Sequence, residues 1–266
     1  MTLVRSYLAG LSDLAEGLNA WRIWHLLGTA ELRHRHARSR FGQLWVTLAM
    51  GITILALGLV WSLLWRMPLE GIFPYITVAM IFWGLITAVL NEATTSFAST
   101  GKLFLNQRAS LSVAIYGLIY RNLIVLIYNA AIIVAVFAWF RIMPSWPMLL
   151  LAPGLVLTML FLMSVAYVLA IAATRYRDAV PLVLSITQVA YFITPVLWKP
   201  EFIPADYRWI NIVNPFSVFL AIMRDPVLGA PPPMVDWEVA VAFTVLALAL
   251  AIPFVGRYQN RVMYWI

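Results

Sequence analysis

The fold of this chain is decided by residues 44–65, which read LWVTLAMGITILALGLVWSLLW. This stretch contains no Asp, Glu, Lys or Arg. A helix of about 20 apolar residues, each adding about 1.5 Å, crosses a hydrocarbon core about 30 Å thick. A strand of a membrane barrel would instead alternate polar and apolar residues over about 10 positions. The stretch therefore predicts a membrane-spanning α-helix.

Five further stretches share this character. None of them contains Asp, Glu, Lys or Arg, and they cover residues 73–90, 122–140, 148–174, 179–198 and 239–256. We therefore predict an all-α membrane protein with six transmembrane helices, in which residues 44–266 form one membrane domain. Because the number of spans is even, both termini lie on the same side of the membrane.

The composition excludes an ordinary water-soluble protein. Hydrophobic residues make up 63% of the chain and charged residues 11%, whereas soluble domains are about 45–50% apolar and about 25% charged. The chain has no cysteine, which excludes a disulfide scaffold, thiol catalysis and a zinc–thiolate or iron–sulfur site. The redox compartment stays open.

Basic residues are distributed unequally between the two sides that the six spans define. The N-terminal segment, the second and fourth loops and the C-terminal tail hold 13 of the 18 Lys and Arg residues. Short loops rich in Lys and Arg stay in the cytoplasm, so both termini are predicted to be cytoplasmic. The net charge of +7 is then explained by cytoplasmic loops and lipid headgroups, and no nucleic-acid partner is expected.

Residues 1–43 precede the first span and are predicted to form a cytoplasmic extension. They contain no short apolar core followed by a small-residue cleavage site, so no signal peptide is expected. Six apolar residues recur at steps of three or four, namely Leu11, Leu14, Leu18, Trp21, Trp24 and Leu27. This spacing predicts an amphipathic helix lying flat in the inner headgroup layer.

A basic run follows that helix and contains Arg33, Arg35, Arg38 and Arg40. One interpretation is a membrane anchor that obeys the positive-inside rule. The other is that these arginines also engage an anionic substrate headgroup or a partner protein at the membrane surface. The sequence leaves both open.

The loop at residues 199–238, after the fifth span, is too long for a tight turn and too apolar to be only solvated. Asn214 can cap a helix whose first residue is Pro215, and Asp225-Pro226 is predicted to end it. Together with residues 205–213, this helix predicts a re-entrant hairpin before the last span, buried against protein or lining a cavity. The alternative is a pair of interfacial helices without a gating role.

The sequence contains no constellation typical of catalysis. A phosphate-binding loop needs G-x-x-x-x-G-K-[ST], but Ser96 and Leu103 replace the first glycine and the hydroxyl residue around Gly101-Lys102. The six spans contain no Asp, Glu, Lys or Arg that could couple transport to ions, and Glu92 at an inner span end is interpreted as solvated at headgroup level. No carboxylate pair or metal-ligand spacing is seen, so catalytic and metal sites are not predicted.

Aromatic residues are abundant, with 14 Phe, 12 Trp and 11 Tyr. An interfacial belt explains many of those near span ends. A second possibility is that some face a conduit and offer flat surfaces to sugar rings. The candidates for such a conduit are Trp61, Trp65, Phe82, Trp83, Tyr191, Phe192 and Trp198.

Six segments spread over nearly the whole chain carry a family resemblance. They are RHRHARSRFGQLW (33–45), YRNLIVLIYN (120–129), TRYRD (174–178), YFITPVLWKPE (191–201), NPFSVFLAIMRDPVLG (214–229) and RYQNRVMYWI (257–266). In this order they resemble the permease subunit of ABC-2-type exporters, in particular the branch that exports O-antigen and related cell-surface polysaccharides.

This resemblance implies a homodimer in the inner membrane of a bacterium, bound to two copies of a separate ATPase. ATP and Mg would bind that ATPase, and no cofactor is expected in this chain. The cargo would be a lipid-linked polysaccharide carried to the outer face, in contact with membrane lipids.

The resemblance also implies roles for two inner segments and one outer segment. Movement of the ATPase would reach the permease through Thr100, Lys102, Asn106 and Arg108, and through Arg175, Tyr176, Arg177 and Asp178. The second group is also explained as a basic turn between helices. The outer loop would act as an exit gate built on Pro195, Asn214, Pro215 and Phe216, with Pro195 kinking the fifth span.

Three alternatives stay open. The same architecture could move teichoic acid, a lipid or a drug. An intramembrane glycosyl- or acyltransferase would need a cluster of carboxylates or histidines at an interface. The third alternative is a membrane scaffold, for which ATP should have no effect on the purified assembly.

Overall fold

A computed structural model describes residues 3–35, 41–66, 68–106 and 110–265. For Arg35, Trp65, residues 101–106 and Ala205 the description covers the backbone alone. Within these ranges the chain is helical and has no β-strand. The prediction of an all-α membrane protein is confirmed at this level.

The described ranges contain ten α-helices joined by short connections. They are α1 (Leu3–Asn19), α2 (Trp21–Arg35), α3 (Leu44–Trp65), α4 (Leu69–Asn106), α5 (Ser112–Phe140), α6 (Leu151–Arg175), α7 (Ala179–Ile193), α8 (Trp209–Val213), α9 (Pro215–Val227) and α10 (Met234–Val262). Three short 3₁₀ helices lie at Trp146–Leu150, Pro200–Phe202 and Ala205–Tyr207.

Five helices in the described ranges are long and apolar enough to cross a membrane, namely α3, α4, α5, α6 and α10. Helix α3 coincides with the predicted first span. Helices α4 and α5 extend well beyond the predicted inner ends of the second and third spans. Helix α4 continues to Asn106, past the predicted end at residue 90, and α5 begins at Ser112, before the predicted start at residue 122.

Helix α7 is shorter than the predicted fifth span, residues 179–198. It has 15 residues, or about 22 Å at about 1.5 Å per residue, against a hydrocarbon core of about 30 Å. It ends at Ile193 because the next residue, Thr194, precedes a proline and adopts an extended conformation with φ −85° and ψ 139°. Pro195 therefore lies beyond the helix, and the prediction that it kinks a continuous span is wrong.

The segment predicted to form a hairpin before the last span differs from the prediction in one detail. Helix α9 does not stop at Asp225-Pro226 but includes Pro226 and ends at Val227. A proline cannot donate to the carbonyl four residues earlier, here Ile222. Gly154 of α6 packs against that carbonyl so closely that an added Cβ would lie 2.6 Å from the oxygen.

The N-terminal region forms two helices rather than one, with a break at Ala20. Helix α1 packs on α10 and α5, and α2 packs on α5. The buried face of α1 is a stripe of small and polar residues: Ser6, Gly10, Asp13 and Gly17. Leu11 and Leu18 of the predicted apolar stripe are exposed on the other side, where a lipid environment would cover them.

Close backbone contact between α1 and α10 depends on two glycines. A Cβ on Gly10 would lie 2.1 Å from the Ile252 carbonyl oxygen, and one on Gly256 would lie 1.8 Å from the Ser6 carbonyl oxygen. Small residues allow such contact between membrane helices. Pro253 leaves the Ala249 carbonyl without its helical donor, and the Tyr7 hydroxyl donates to that oxygen at 2.7 Å.

Helix α4 lies at the centre of the bundle. It contacts α3, α5, α6, α7 and α9, and it supplies more of the largest fully buried side chains than any other described helix, from Ile72 to Phe97. Helix α3 is the least buried of the five bilayer-length helices.

Replacing Gly10 with alanine tests the contact between α1 and α10. The new Cβ would collide with backbone, so we expect Gly10→Ala to lower the free energy of unfolding by about 1–3 kcal/mol, although alanine favours a helix by about 1 kcal/mol. The measurement is thermal unfolding in detergent. Gly51→Ala is the matched control, because its nearest neighbour would be 3.8 Å away. Equal melting temperatures for Gly10→Ala and the unchanged chain would contradict this account.

Candidate functional site

One end of the bundle holds the connections that precede α5 and follow α6, and we call it the inner end because the predicted topology places these connections in the cytoplasm. Successive antiparallel helices place the end of α4, the start of α5 and the α6–α7 turn on one side. The turn residues Arg175, Tyr176, Arg177 and Asp178 are all exposed. The Arg175 guanidinium lies 5.1 Å from the Tyr176 ring and 5.2 Å from the Trp265 ring. A partner approaching this end could therefore contact the whole turn.

The other predicted coupling residues are described only in part. The Thr100 hydroxyl donates to the Ser96 carbonyl at 2.7 Å, so it is engaged within α4. The side chains of Lys102 and Asn106 and all of Arg108 lie outside the described residues. In the basic N-terminal run, Arg33 is exposed, the side chain of Arg35 is not described, and Arg38 and Arg40 lie outside the described residues.

Asp13 joins α1 to the start of α5. Its buried carboxylate accepts hydrogen bonds from the backbone N–H groups of Leu111 at 3.1 Å and Ser112 at 3.2 Å. Residues at a helix start leave N–H groups without a helical partner, and a negative charge there is stabilised. The side chain at the N-cap position, Leu111, cannot accept these bonds itself, so Asp13 supplies the cap from another helix.

Three more hydrogen bonds are made to Asp13, and we call the whole set of hydrogen bonds to this residue the Asp13 clamp. The Tyr167 hydroxyl of α6 donates to the Asp13 carboxylate. The Ser110 and Ser112 hydroxyls donate to the Asp13 carbonyl at 2.7 Å and 2.6 Å. The Asp13 clamp therefore fixes α1, α5 and α6 to one another at the start of α5.

A second polar cluster ties α2, α4 and α5 together near the same end. The Arg121 guanidinium, which is buried, donates to the carboxylates of Glu31 and Glu92. The Asn122 amide donates to Glu92 at 3.0 Å. The interpretation of Glu92 as a solvated headgroup-level residue is therefore wrong, because Glu92 is a partner of a buried cation. A cavity of about 160 Å³ lies beside this cluster.

At the opposite end of the bundle, which we call the outer end after the predicted topology, Arg224 of α9 is 2% exposed. Its Nη1 donates to the Tyr75 hydroxyl at 2.6 Å and to the Pro195 carbonyl at 2.9 Å, and its Nε donates to Asp225 at 2.7 Å. Burial raises the pKa of the Asp225 carboxyl above its usual value, and the charge of Arg224 opposes that shift. The guanidinium thus ties the connection after α7 to α4 and α9.

The predicted gate residues meet at this end. The Asn214 carboxamide oxygen accepts from the Phe216 N–H at 3.0 Å, which confirms Asn214 as the cap of a helix that begins at Pro215. Its amide nitrogen donates to the buried Thr194 hydroxyl at 3.0 Å. The start of α9 is therefore fixed to the end of α7.

The aromatic residues that were predicted to line a conduit lie in different environments. Trp83 contacts Tyr191 and Phe216 at ring-centroid distances of 5.8 Å and 5.9 Å, and Tyr191 contacts Phe192 at 5.5 Å. Phe192 is 68% exposed, whereas Phe82 is buried in the core.

The remaining candidates, Trp61, Trp65 and Trp198, are spread around this group. The Trp198 indole donates to the Phe192 carbonyl at 3.2 Å. Trp61 packs partly buried against the core, and the side chain of Trp65 is not described.

The sequence patterns did not single out Asp13, Tyr75 or Tyr167, and Arg121 and Arg224 entered only in the count of Lys and Arg residues outside the predicted spans. For Asp13 a signal exists, since Ser6, Gly10, Asp13 and Gly17 recur at steps of four, three and four. This stripe of small residues has the spacing of a packed membrane-helix face. The partners of Arg121 and Arg224 are distant in sequence, and no local pattern reveals them.

The architecture defines an integral membrane protein of several bilayer-length helices, held together by polar contacts at both ends. The sequence profile of the ABC-2 type transporter family matches residues 24–228. The chain belongs to this family and is the membrane component of a transporter that pairs with ATP-binding subunits. A comparison with curated proteins finds no match.

Removing the Asp13 carboxylate tests the clamp. Asp13→Ala leaves two N–H groups and the Tyr167 hydroxyl without their acceptor, so we expect a loss of about 1–3 kcal/mol in the free energy of unfolding. We also expect faster amide hydrogen exchange at residues 110–116. Asp178→Ala is the control, because that carboxylate is exposed at the α6–α7 turn. Unchanged exchange at the start of α5 in Asp13→Ala would contradict the clamp.

Proposed function

We propose that this chain is the permease subunit of an ATP-driven exporter that carries a lipid-linked polysaccharide, of the O-antigen kind, across the bacterial inner membrane. It would act as a homodimer with two ATPase subunits, which bind ATP and Mg. This chain would supply the passage and would have no catalytic residue of its own.

One observation carries this proposal: the outward face of α7. Pro181, Ser185, Gln188 and Phe192 follow one another at steps of four, three and four and are all exposed. Polar side chains in membrane helices usually face protein or water rather than lipid. The Ser185 hydroxyl bonds the Pro181 carbonyl of its own helix at 3.0 Å, so the exposed Gln188 amide is the group that favours a second subunit or an aqueous passage opposite this helix.

The same face supports a sugar cargo. Phe192 supplies an exposed ring, and Gln188, one turn earlier, supplies both hydrogen-bond donors and acceptors. A passage for an apolar lipid or drug would not require an amide side chain such as that of Gln188 on its wall. The resemblance of the segments at 33–45, 191–201 and 214–229 to polysaccharide exporters supports the same cargo, while teichoic acid would fit the passage through its sugar-like hydroxyls.

The proposed topology keeps both termini in the cytoplasm and counts α7 as the sixth membrane helix. At about 22 Å, α7 would reach the outer surface together with the connection after it. Helices α8 and α9 would form the re-entrant hairpin, with Pro195, Asn214, Pro215 and Phe216 at the exit. The outward apolar side chains of α1 would lie in the inner leaflet.

The ATPase would dock at the exposed turn of Arg175, Tyr176, Arg177 and Asp178 and at the segment from Thr100 to Arg108. Movement there would reach α1 and α6 through the Asp13 clamp. An intramembrane transferase is disfavoured, because each described buried charge is bonded to a neighbouring helix or residue rather than presented to a substrate: Asp13, Arg121 and Arg224.

A cysteine at Gln188 tests the passage between two copies. The chain has no cysteine of its own, so we expect Gln188→Cys in native membranes to give a disulfide-linked dimer on mild oxidation. Ile186→Cys is the control, because Ile186 is exposed but lies about 160° around α7 from Gln188 at 100° per residue. Equal cross-linking of both variants, or of neither, would contradict a passage lined by this face.

An export measurement completes this test. Phe192→Ala should reduce the glycan at the cell surface severalfold at unchanged permease abundance, while Ile186→Ala should leave it near normal. A parallel fall in abundance and export would mean that Phe192 acts only in packing.

A further inference from the structure

The C-terminal segment packs against the α6–α7 turn, where the ATPase is proposed to dock. Helices α6 and α10 pack on each other, and α10 ends at Val262. Three residues later, the Trp265 ring centre lies 5.2 Å from the guanidinium carbon of Arg175, the last residue of α6. The C-terminal segment is therefore part of the surface around the turn.

Aromatic contacts hold Trp265 in place. The ring of Trp265 lies 6.1 Å from that of Tyr258, and the Tyr258 ring lies 4.8 Å from that of Phe254. Aromatic pairs attract each other when their centres are about 4.5–7 Å apart. Trp265 is half-buried and packs against the apolar core. Its position is therefore set by the inner end of α10.

Arg175 contacts two aromatic rings. Its guanidinium carbon lies 5.1 Å from the Tyr176 ring centre and 5.2 Å from that of Trp265. A cation over an aromatic ring is attracted by it within about 6 Å. The Tyr176 ring belongs to the turn itself, whereas the Trp265 ring belongs to the C-terminal segment. Trp265 is therefore the ring that fixes Arg175 to another element of the bundle.

The charge of Arg175 remains available to a partner. Among the described residues, none forms an ion pair or a hydrogen bond with its guanidinium, and the side chain is exposed. By contrast, the buried cations Arg121 and Arg224 are bonded to carboxylates. An aromatic ring attracts a guanidinium without neutralising it, and the N–H groups suit a carboxylate in a bidentate pair. Arg175 can therefore bind a carboxylate of another protein.

Two observations favour a protein over a lipid headgroup as the partner of Arg175. The exposed turn carries Asp178 as well as two arginines, and mixed charges complement a protein surface better than a uniformly anionic bilayer surface. The family to which the chain belongs also pairs with ATP-binding subunits. The partner that fits Arg175 is therefore an acidic side chain of the ATPase.

We propose that Trp265 is a positioning residue for ATPase docking: it holds the Arg175 guanidinium where Arg175 meets a carboxylate of the ATP-binding subunit. The inference rests on the proposed function, because it takes the α6–α7 turn as the docking site. It adds the C-terminal segment to the surface through which movement of the ATPase reaches the permease. From Trp265 that movement would continue into α10 and, through the contact of Gly10 with Gly256, into α1.

The affinity of the ATP-binding subunits for the permease tests this role. The purified permease in lipid nanodiscs is titrated with the ATP-binding subunits that purify with it. Arg175→Gln should weaken binding about tenfold or more, as expected for the loss of a hydrogen bond to a charged group. Trp265→Leu keeps an apolar side chain but has no ring, so it should weaken binding about two- to fivefold, the effect of one exposed cation–π contact. Trp265→Phe keeps a ring and should retain most of the affinity.

Controls separate positioning from general packing. If Trp265 acts through Arg175, Trp265→Leu should have no further effect in the Arg175→Gln background. Trp265→Met takes its place if Trp265→Leu does not fold. Trp139→Leu is the matched control, because Trp139 is 83% exposed near the opposite end of α5 from the turn, and it should leave the affinity unchanged.

Four results would overturn the inference. They are an unchanged affinity in Trp265→Leu, an equal loss with and without Arg175, an equal loss in Trp265→Phe, and an effect of Arg175→Gln that appears only in nanodiscs containing phosphatidylglycerol. The last result would mean that Arg175 binds a lipid phosphate.

These results are distinguishable from failure of the proposed function. Glycan at the cell surface, together with an ATPase affinity that neither Arg175→Gln nor Trp265→Leu changes, overturns the inference alone. The predicted affinities in a chain that exports no glycan overturn the proposed cargo and leave the role of Trp265 standing. A permease that purifies without any ATP-binding subunit overturns both.

Discussion

A chain in a bilayer must satisfy its polar groups from within, because hydrocarbon offers neither donors nor acceptors. This constraint explains the placement of the most buried polar groups described. Arg121 meets carboxylates from two other helices, and Arg224 meets a carboxylate, a hydroxyl and a carbonyl. The carbonyl that Pro253 leaves without a donor receives the Tyr7 hydroxyl. Each solution joins separate segments, so satisfying the polar groups also fixes the tertiary structure.

The polar contacts divide the molecule into an inner and an outer end. At the inner end, the Asp13 clamp and the Arg121 cluster fix α1 and α2 to the start of α5, beside the exposed α6–α7 turn. At the outer end, Arg224 fixes the connection after α7 to α4 and α9. Helix α7 links these ends and has few contacts of its own beyond α4 and α6. A movement imposed on the α6–α7 turn would therefore reach the outer end along α7.

The sequence predicted those features that follow from local physical chemistry. A bilayer-length helix needs only a run of apolar residues, so residues 44–65 were delimited correctly. The cap at Asn214 and Pro215 depends on neighbouring residues and is confirmed. The end of α7 was missed because hydropathy continues through Trp198, although Pro195 already disfavours a helical Thr194.

The buried polar contacts could not be predicted from local sequence patterns. Tyr75 and Arg224 are separated by 149 positions, and Asp13 and Tyr167 by 154. Their pairing is a result of tertiary packing. The amphipathic pattern of the N-terminal region identified a helix but not its packed face, because the face that packs on α10 is made of small residues rather than of leucines. The apolar residues of that pattern are divided: Leu11 and Leu18 are exposed, whereas Leu14 packs against the core and Trp24 against Tyr116 and Tyr120.

The central claim is that this chain is a gated passage whose energy comes from an ATPase bound at its inner end. The most direct test is transport into liposomes of defined lipid, with the permease reconstituted alone and together with the ATP-binding subunits that purify with it. The account predicts ATP-dependent movement of lipid-linked glycan for the complex and none for the permease alone. Uphill movement of glycan by the permease alone, or a complex whose transport does not respond to ATP, would contradict it.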